Sequence, residues 1–112
     1  MSIFDIYKQL FKILEKMYFK DTNRYDMLGI ILGEMSPELF TNSYSADTAF
    51  FEDFEKRMIN IFGNLSGTGY KLSEGIQVLK SILQDYNENY GYNLTNVMAD
   101  FDIFFGGLTR NM

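Results

Sequence analysis

The sequence predicts an all-α fold, a compact single-domain bundle of four to five helices over residues 1–112. Three observations carry that prediction. Apolar residues recur at spacings of three and four along most of the chain, the period that gathers them on one face of a helix. No run alternates apolar and polar with period two between turn signals, so strands have no support. Glycine, asparagine and the single proline, Pro37, fall between the periodic stretches, where helices stop and start. At 46% hydrophobic residues the chain is too apolar for disorder, and at 112 residues it can bury a core without staples. Eleven Phe and eight Tyr, with no Trp, predict a core rich in aromatic rings.

The first helix is expected over residues 3–19, with Ile3, Tyr7, Leu10, Leu14 and Met17 inward and Phe11 and Tyr18 widening the stripe. Lys8, Lys12, Lys16 and Lys20 recur every four residues on the other side and read as a solvated face. Asp21, Thr22 and Asn23 offer caps for a second helix over 24–34, with Tyr25, Leu28, Ile31 and Leu32 inward. Gly29 there leaves room for a close neighbour, and Gly33 reads as the stop. Ser36-Pro37-Glu38 reads as a cap, an N1 proline and a first-turn acid opening one turn over 37–40. A polar loop, Thr41 to Ser45, leads to a third helix over 47–62 capped by Ser45 or Asp47. Its expected inner face is Phe50, Phe51, Phe54, Met58, Ile61 and Phe62. After the turn Gly63 to Gly69, a fourth helix over 72–90 turns Leu72, Ile76, Leu79, Leu83, Tyr86 and Tyr90 inward and stops at Gly91. Asn93 caps a fifth over 94–105, with Leu94, Val97, Met98, Phe101 and Phe105 inward and Gly106 and Gly107 as its end.

Composition narrows the chemistry. Without cysteine there are no disulfides, thiolate metal sites or cysteine nucleophiles. Without histidine the commonest general base and metal ligand are missing. No basic-then-apolar leader opens the chain and no apolar run is long enough to span a bilayer, so a cytoplasmic protein with no membrane partner is expected. The net charge of −5 is local: residues 25–55 hold seven acids and no base, while the flanking stretches are mildly basic or neutral. An acidic face repels phosphates and attracts basic partners, which argues against a nucleic acid partner.

The motifs that suggest chemistry fail on spacing. Tyr70 separates Gly69 from Lys71, so the glycine turn is no phosphate loop. Glu52 and Glu55 share a helix face, but a carboxylate dimetal site wants Glu-x-x-His. Asp100 and Asp102 diverge on a helix, and no calcium loop exists. Tyr86, Tyr90 and Tyr92 have acids, Asp85 and Glu88, where a single-stranded nucleic acid site needs bases; they read as half-buried tyrosines at a helix end. No catalytic residue, metal site or cofactor is expected, and no enzyme.

Leu32-Gly33-Glu34-Met35-Ser36-Pro37-Glu38-Leu39-Phe40, then Ser45-Ala46-Asp47-Thr48-Ala49 and Glu52-Asp53-Phe54, resembles small bacterial immunity proteins of contact-dependent inhibition and polymorphic toxin systems. The resemblance spans residues 32–54 and departs at Thr48, where that pattern has proline. It implies a small helical domain that binds a cognate protein toxin in the cytoplasm and blocks it. With the local acidity, the expected toxin is basic, and the expected contact residues are Glu34, Glu38, Phe40, Tyr44, Asp47, Glu52 and Asp53, the aromatics as anchors. The protein itself is expected as a monomer or weak homodimer. The reading from another class is a structural or regulatory helical interaction module whose Phe-rich surface meets another copy, as a homodimer, or an adaptor.

Overall fold

The computed structural model describes residues 1–36, 49–63 and 69–110, side chains from 107 onward excepted. Among them are five helices and no strand: α1 Ile3–Lys20, α2 Leu28–Met35, α3 Ala49–Phe62, α4 Leu72–Asn89 and α5 Thr95–Arg110. The predicted all-α bundle is what forms, and its radius of gyration of 13.7 Å is close to the roughly 13 Å expected for a packed chain of this length. α1 lies against all four other helices, and α4 lies against α1, α3 and α5.

Helix α1 begins where Ser2 caps it: the Ser2 hydroxyl accepts from the Asp5 N–H at 3.1 Å. Asp5 in the first turn and Lys20 in the last suit the helix dipole. Its buried residues are Ile6, Tyr7, Leu10, Leu14 and Met17. The stripe is therefore rotated slightly from the expected one: Ile6 is fully buried, whereas Ile3 packs at the edge of the core. Tyr7 is the aromatic centre, with ring centroids 5.0 Å from Phe51 and 5.5 Å from Phe54.

The second helix starts later than its pattern suggests. Asp21 folds its carboxylate onto the Arg24 N–H at 3.0 Å, and residues 22–27 coil as turns with bonds from Leu28, Gly29 and Ile30 to carbonyls three residues back. The same cap candidate thus closes a turn before it opens a helix. α2 also runs past Gly33 to Met35, a correction to the expected stop. Gly33 does not take a left-handed backbone, and the last carbonyl, of Met35, accepts the buried Tyr7 hydroxyl at 2.6 Å. Gly29 does leave room for a close neighbour: a Cβ there would sit 3.0 Å from the Tyr18 hydroxyl of α1.

Helix α3 buries Phe50, Phe54 and Met58 at a spacing of four, with Phe51 and Phe62 half-buried. Ile61, expected inside, is 53% exposed: at about 100° per residue it falls between Phe50 and Phe54 on the buried row, but it lies in the last turn of the helix, where that face is no longer covered. Gly63 closes the helix with φ +87°, and the Tyr70 hydroxyl donates to its carbonyl at 2.6 Å. α4 opens with the Glu74 carboxylate accepting the Lys71 N–H at 2.8 Å. It buries Leu72, Gly75, Ile76, Val78, Leu79, Ile82 and Leu83, a wider face than four-residue spacing alone indicates, because α1, α3 and α5 all press on it. At Gly75 the backbone of α4 touches α1 so closely that a Cβ would collide with Ile6.

Between α4 and α5, Asn87 accepts the Leu94 N–H at 2.8 Å and Asn93 accepts that of Thr95 at 3.3 Å; with the helix starting at Thr95 and the Leu94 carbonyl taking its first bond, Asn93 sits one residue before the cap it was expected to be. α5 buries Leu94, Val97, Phe101 and Phe105 at its head and along its length. It runs through Gly106 and Gly107 to Arg110, again past an expected stop. Asp100 and Asp102 diverge: Asp100 takes Arg24 and the Tyr25 hydroxyl, each at 2.7 Å, while Asp102 pairs with Lys80 at 3.2 Å. Among the described residues no helix is long and apolar enough to cross a membrane.

Candidate functional site

The chain reverses at the end of α4, and that reversal builds a cleft. Gly91 adopts φ +77°, a conformation that costs a side-chain-bearing residue about 1–2 kcal/mol. The N–H groups of Tyr90 and Tyr92 both reach the Tyr86 carbonyl at 3.3 Å. The Tyr92 ring is thereby laid beside the Tyr86 ring, 5.3 Å away and 24° from parallel. The Tyr90 ring stands at 62° to that of Tyr86, 5.4 Å away. Phe50, from the start of α3, backs Tyr86 edge-on at 5.7 Å.

Glu34, on the last turn of α2, completes the wall. Its carboxylate accepts the Tyr92 hydroxyl at 3.1 Å, a contact between residues 58 apart in the chain. The cleft lined by Glu34, Tyr86, Tyr90 and Tyr92 has a volume of about 410 Å³ and no Lys or Arg among those four residues. The Tyr92 phenol is held above its ordinary pKa first by the bond it donates to Glu34. The Tyr86 phenol is pushed up to about 12, chiefly by burial and then by the negative charges of Glu34 and Asp53. Both phenols stay neutral at physiological pH.

Beside the cleft runs a charged clasp between α3 and α4. Arg57 donates to Asp53 at 3.1 Å, to Asp85 at 2.7 Å and to the Ser81 hydroxyl at 3.3 Å. The carboxylates of Glu34 and Asp53 both act on Tyr86. Among the described residues no three Asp, Glu, His or Cys side chains come together as a metal site.

Of the seven residues expected to contact a partner, the structure brings Glu34 and Asp53 together around Tyr86. Asp53 is already paired with Arg57, so its charge acts on its surroundings as half of an ion pair. Glu52 is exposed on α3 and lines no part of the cleft. Glu38, Phe40, Tyr44 and Asp47 lie outside the described residues. The site residues that the sequence reading passed over are the three tyrosines. Tyr90, expected inward, is 67% exposed because the backbone leaves the helix at that residue. The signal available was a Tyr-x-x-x-Tyr-Gly-Tyr string at a glycine stop, which clusters rings whichever way the chain turns.

Two other surface hollows are less suited to a specific role. One, of about 480 Å³ between α1 and α2, has Phe19, Ile30, Glu15 and Asp26 in its lining. The other, of about 360 Å³, surrounds the Arg24–Asp100 pair, whose charges satisfy each other. No family model, curated protein or solved structure matches this chain.

Proposed function

We propose that this chain is a non-enzymatic binding protein of the immunity kind, which neutralises a cognate basic protein toxin in the cytoplasm by covering its active surface. The observation that supports the reading best is the cleft at the end of α4: three tyrosines and Glu34, flanked by Asp53, with no base among its described lining residues. Aromatic side chains with one polar end are the commonest anchors at protein interfaces. Local negative charge speeds the encounter with a basic partner and rejects acidic ones. The acids of residues 25–55 would meet the Lys and Arg that such a toxin turns toward its own substrate.

The test uses the protein as bait in its native host, followed by association kinetics with whatever basic protein is captured. Reversing charge at Glu34 and Glu52 together should slow association about tenfold or more at low salt and flatten its salt dependence. Capture of no basic protein, or kinetics untouched by the reversal, would sink the reading.

The second reading, a helical module that pairs with its own copy, draws on Phe19 and Ile30. They are 69% and 50% exposed and line the same α1–α2 groove. Sedimentation velocity at micromolar concentration separates the two: a tight dimer favours the module, a monomer the immunity role.

A further inference from the structure

We propose that the tyrosine cleft is a receptor for an alkylammonium head group. This goes beyond the preceding section and stands whether or not the partner is a toxin. Tyr86 and Tyr90 pack edge to face at 62°, so the exposed Tyr90 ring stands up beside the Tyr86–Tyr92 stack and forms a corner with it rather than a flat patch. Tyr92 and Glu34 close it, and their hydroxyl–carboxylate bond leaves Glu34 one oxygen free of Tyr92. Aromatic faces carry negative potential and attract an alkylated cation, whose charge is spread over methyl or methylene groups that also pack against the rings.

Other ligand classes fit less well. A hard metal ion needs several oxygen ligands, and the described lining residues offer a single carboxylate. An anion would face Glu34 with no base among the described lining residues to offset it, and a neutral apolar group would leave the Glu34 charge unanswered. The volume of about 410 Å³ exceeds that of one substituted ammonium, so room remains for the chain that carries it. The corner is also held in place before any ligand arrives. Gly91 and the shared Tyr86 carbonyl fix Tyr90 and Tyr92 relative to α4, and Phe50 supports Tyr86 from behind. The head group has two sources, a lysine side chain displayed by a protein or a free small organic cation.

The experiment is an NMR titration of the intact protein with tetramethylammonium chloride, read at the tyrosine rings and referenced to sodium chloride at equal ionic strength. Saturable shifts at Tyr86, Tyr90 and Tyr92 are expected. Tyr90→Ala removes an exposed ring and so leaves folding intact; with Glu34→Gln as the second variant, each should weaken binding about fivefold or more. 3,3-Dimethylbutan-1-ol, the neutral isostere of choline, should bind at least tenfold more weakly than choline. Shifts no larger than those from sodium chloride, variants that bind as well as the parent, or an isostere that binds equally would each overturn the assignment. A trimethyllysine or lysine peptide that binds more tightly than tetramethylammonium and choline assigns the source to a protein; the reverse order assigns it to a free cation.

Discussion

Replacing Gly75 with Ala should destabilise the protein by about 2 kcal/mol, although alanine is the better helix former. The helix itself gains about 1 kcal/mol from losing a glycine. Against that, the new methyl group enters the α1–α4 seam. It collides with the Ile6 Cγ2 methyl and lies 3.3 Å from Leu10 Cδ1 and 3.5 Å from Phe54 Cζ. All three neighbours are fully buried, and Ile6 is β-branched, so it has few rotamers in a helix to retreat to. Overpacking of a closed core costs about 1–3 kcal/mol, and this crowding belongs at or above the top of that range. Subtracting the helix gain leaves the net loss. Urea unfolding followed by circular dichroism should show a midpoint lowered by about 1 M with an unchanged slope. Gly29→Ala is the matched control, because it makes the same helix gain while its methyl meets only the movable end of Tyr18 at 3.0 Å. That variant should fall between neutral and about 1 kcal/mol more stable. Adding Ile6→Leu, which moves the branch away from Cβ, should recover part of the Gly75→Ala loss in a double-mutant cycle. A Gly75→Ala protein as stable as the parent, or more so, would mean that α1 and α4 do not approach as closely as described.

Three further outcomes follow from buried or paired groups. Tyr7→Phe removes the hydroxyl that serves the Met35 carbonyl at 2.6 Å in the core and should cost about 1–3 kcal/mol in the same urea assay; a change below 0.5 kcal/mol, a threshold near the lower limit of about 0.5 kcal/mol for a net hydrogen bond, would refute the bond's importance. Tyr86 has its folded pKa raised to about 12, so its contribution to stability is whole below its ordinary pKa of about 10 and fades as pH climbs from there toward 12; Tyr86→Phe should unfold less readily over that window, as thermal melts against pH will show. Asp100 is held below its ordinary pKa, first by the bond from Arg24 and then by that from Tyr25, so its contribution is present above the ordinary aspartate value and is lost as pH falls below it; Asp100→Asn should flatten the acid limb of the same melts, and a superimposable limb would count against the pair.

The helices were legible because each carries its own apolar row. α1 can be read from the recurrence of Tyr7, Leu10, Leu14 and Met17 without knowing what lies opposite. Their ends were less legible. Gly91 and Gly63 stop helices because the chain there must turn through positive φ, whereas Gly33 and Gly106 lie inside helices. A glycine permits that conformation without demanding it, and the demand comes from where the next element has to go. Ile61 and Tyr90 were misplaced for a related reason: a periodic pattern does not show where its packing partner runs out. The candidate site was the least legible part. The Glu34–Tyr92 bond and the Arg57–Asp85 bond join residues 58 and 28 apart, and no local pattern announces either. Asp53 and Arg57, four apart on one helix, could have been paired from spacing alone, and reading Asp53 as a free acid overlooked that.

Because α1 touches every other helix, no smaller set of helices that omits α4 or α5 closes its apolar row. Ile6 and Leu10 wait for Gly75 and its neighbours, a segment that leaves the ribosome more than sixty residues later. During synthesis this amphipathic first helix therefore has only transient, collapsed company, and a nascent chain halted after α3 is a candidate for chaperone capture rather than a folding unit. The finished domain carries the counterpart of that delay. The α1–α4 contacts join residues more than sixty apart, so closing them costs loop entropy and ties the first helix to the last two in one cooperative opening. Amide exchange at Leu10 and Leu14 should then report the global unfolding free energy and no local fluctuation.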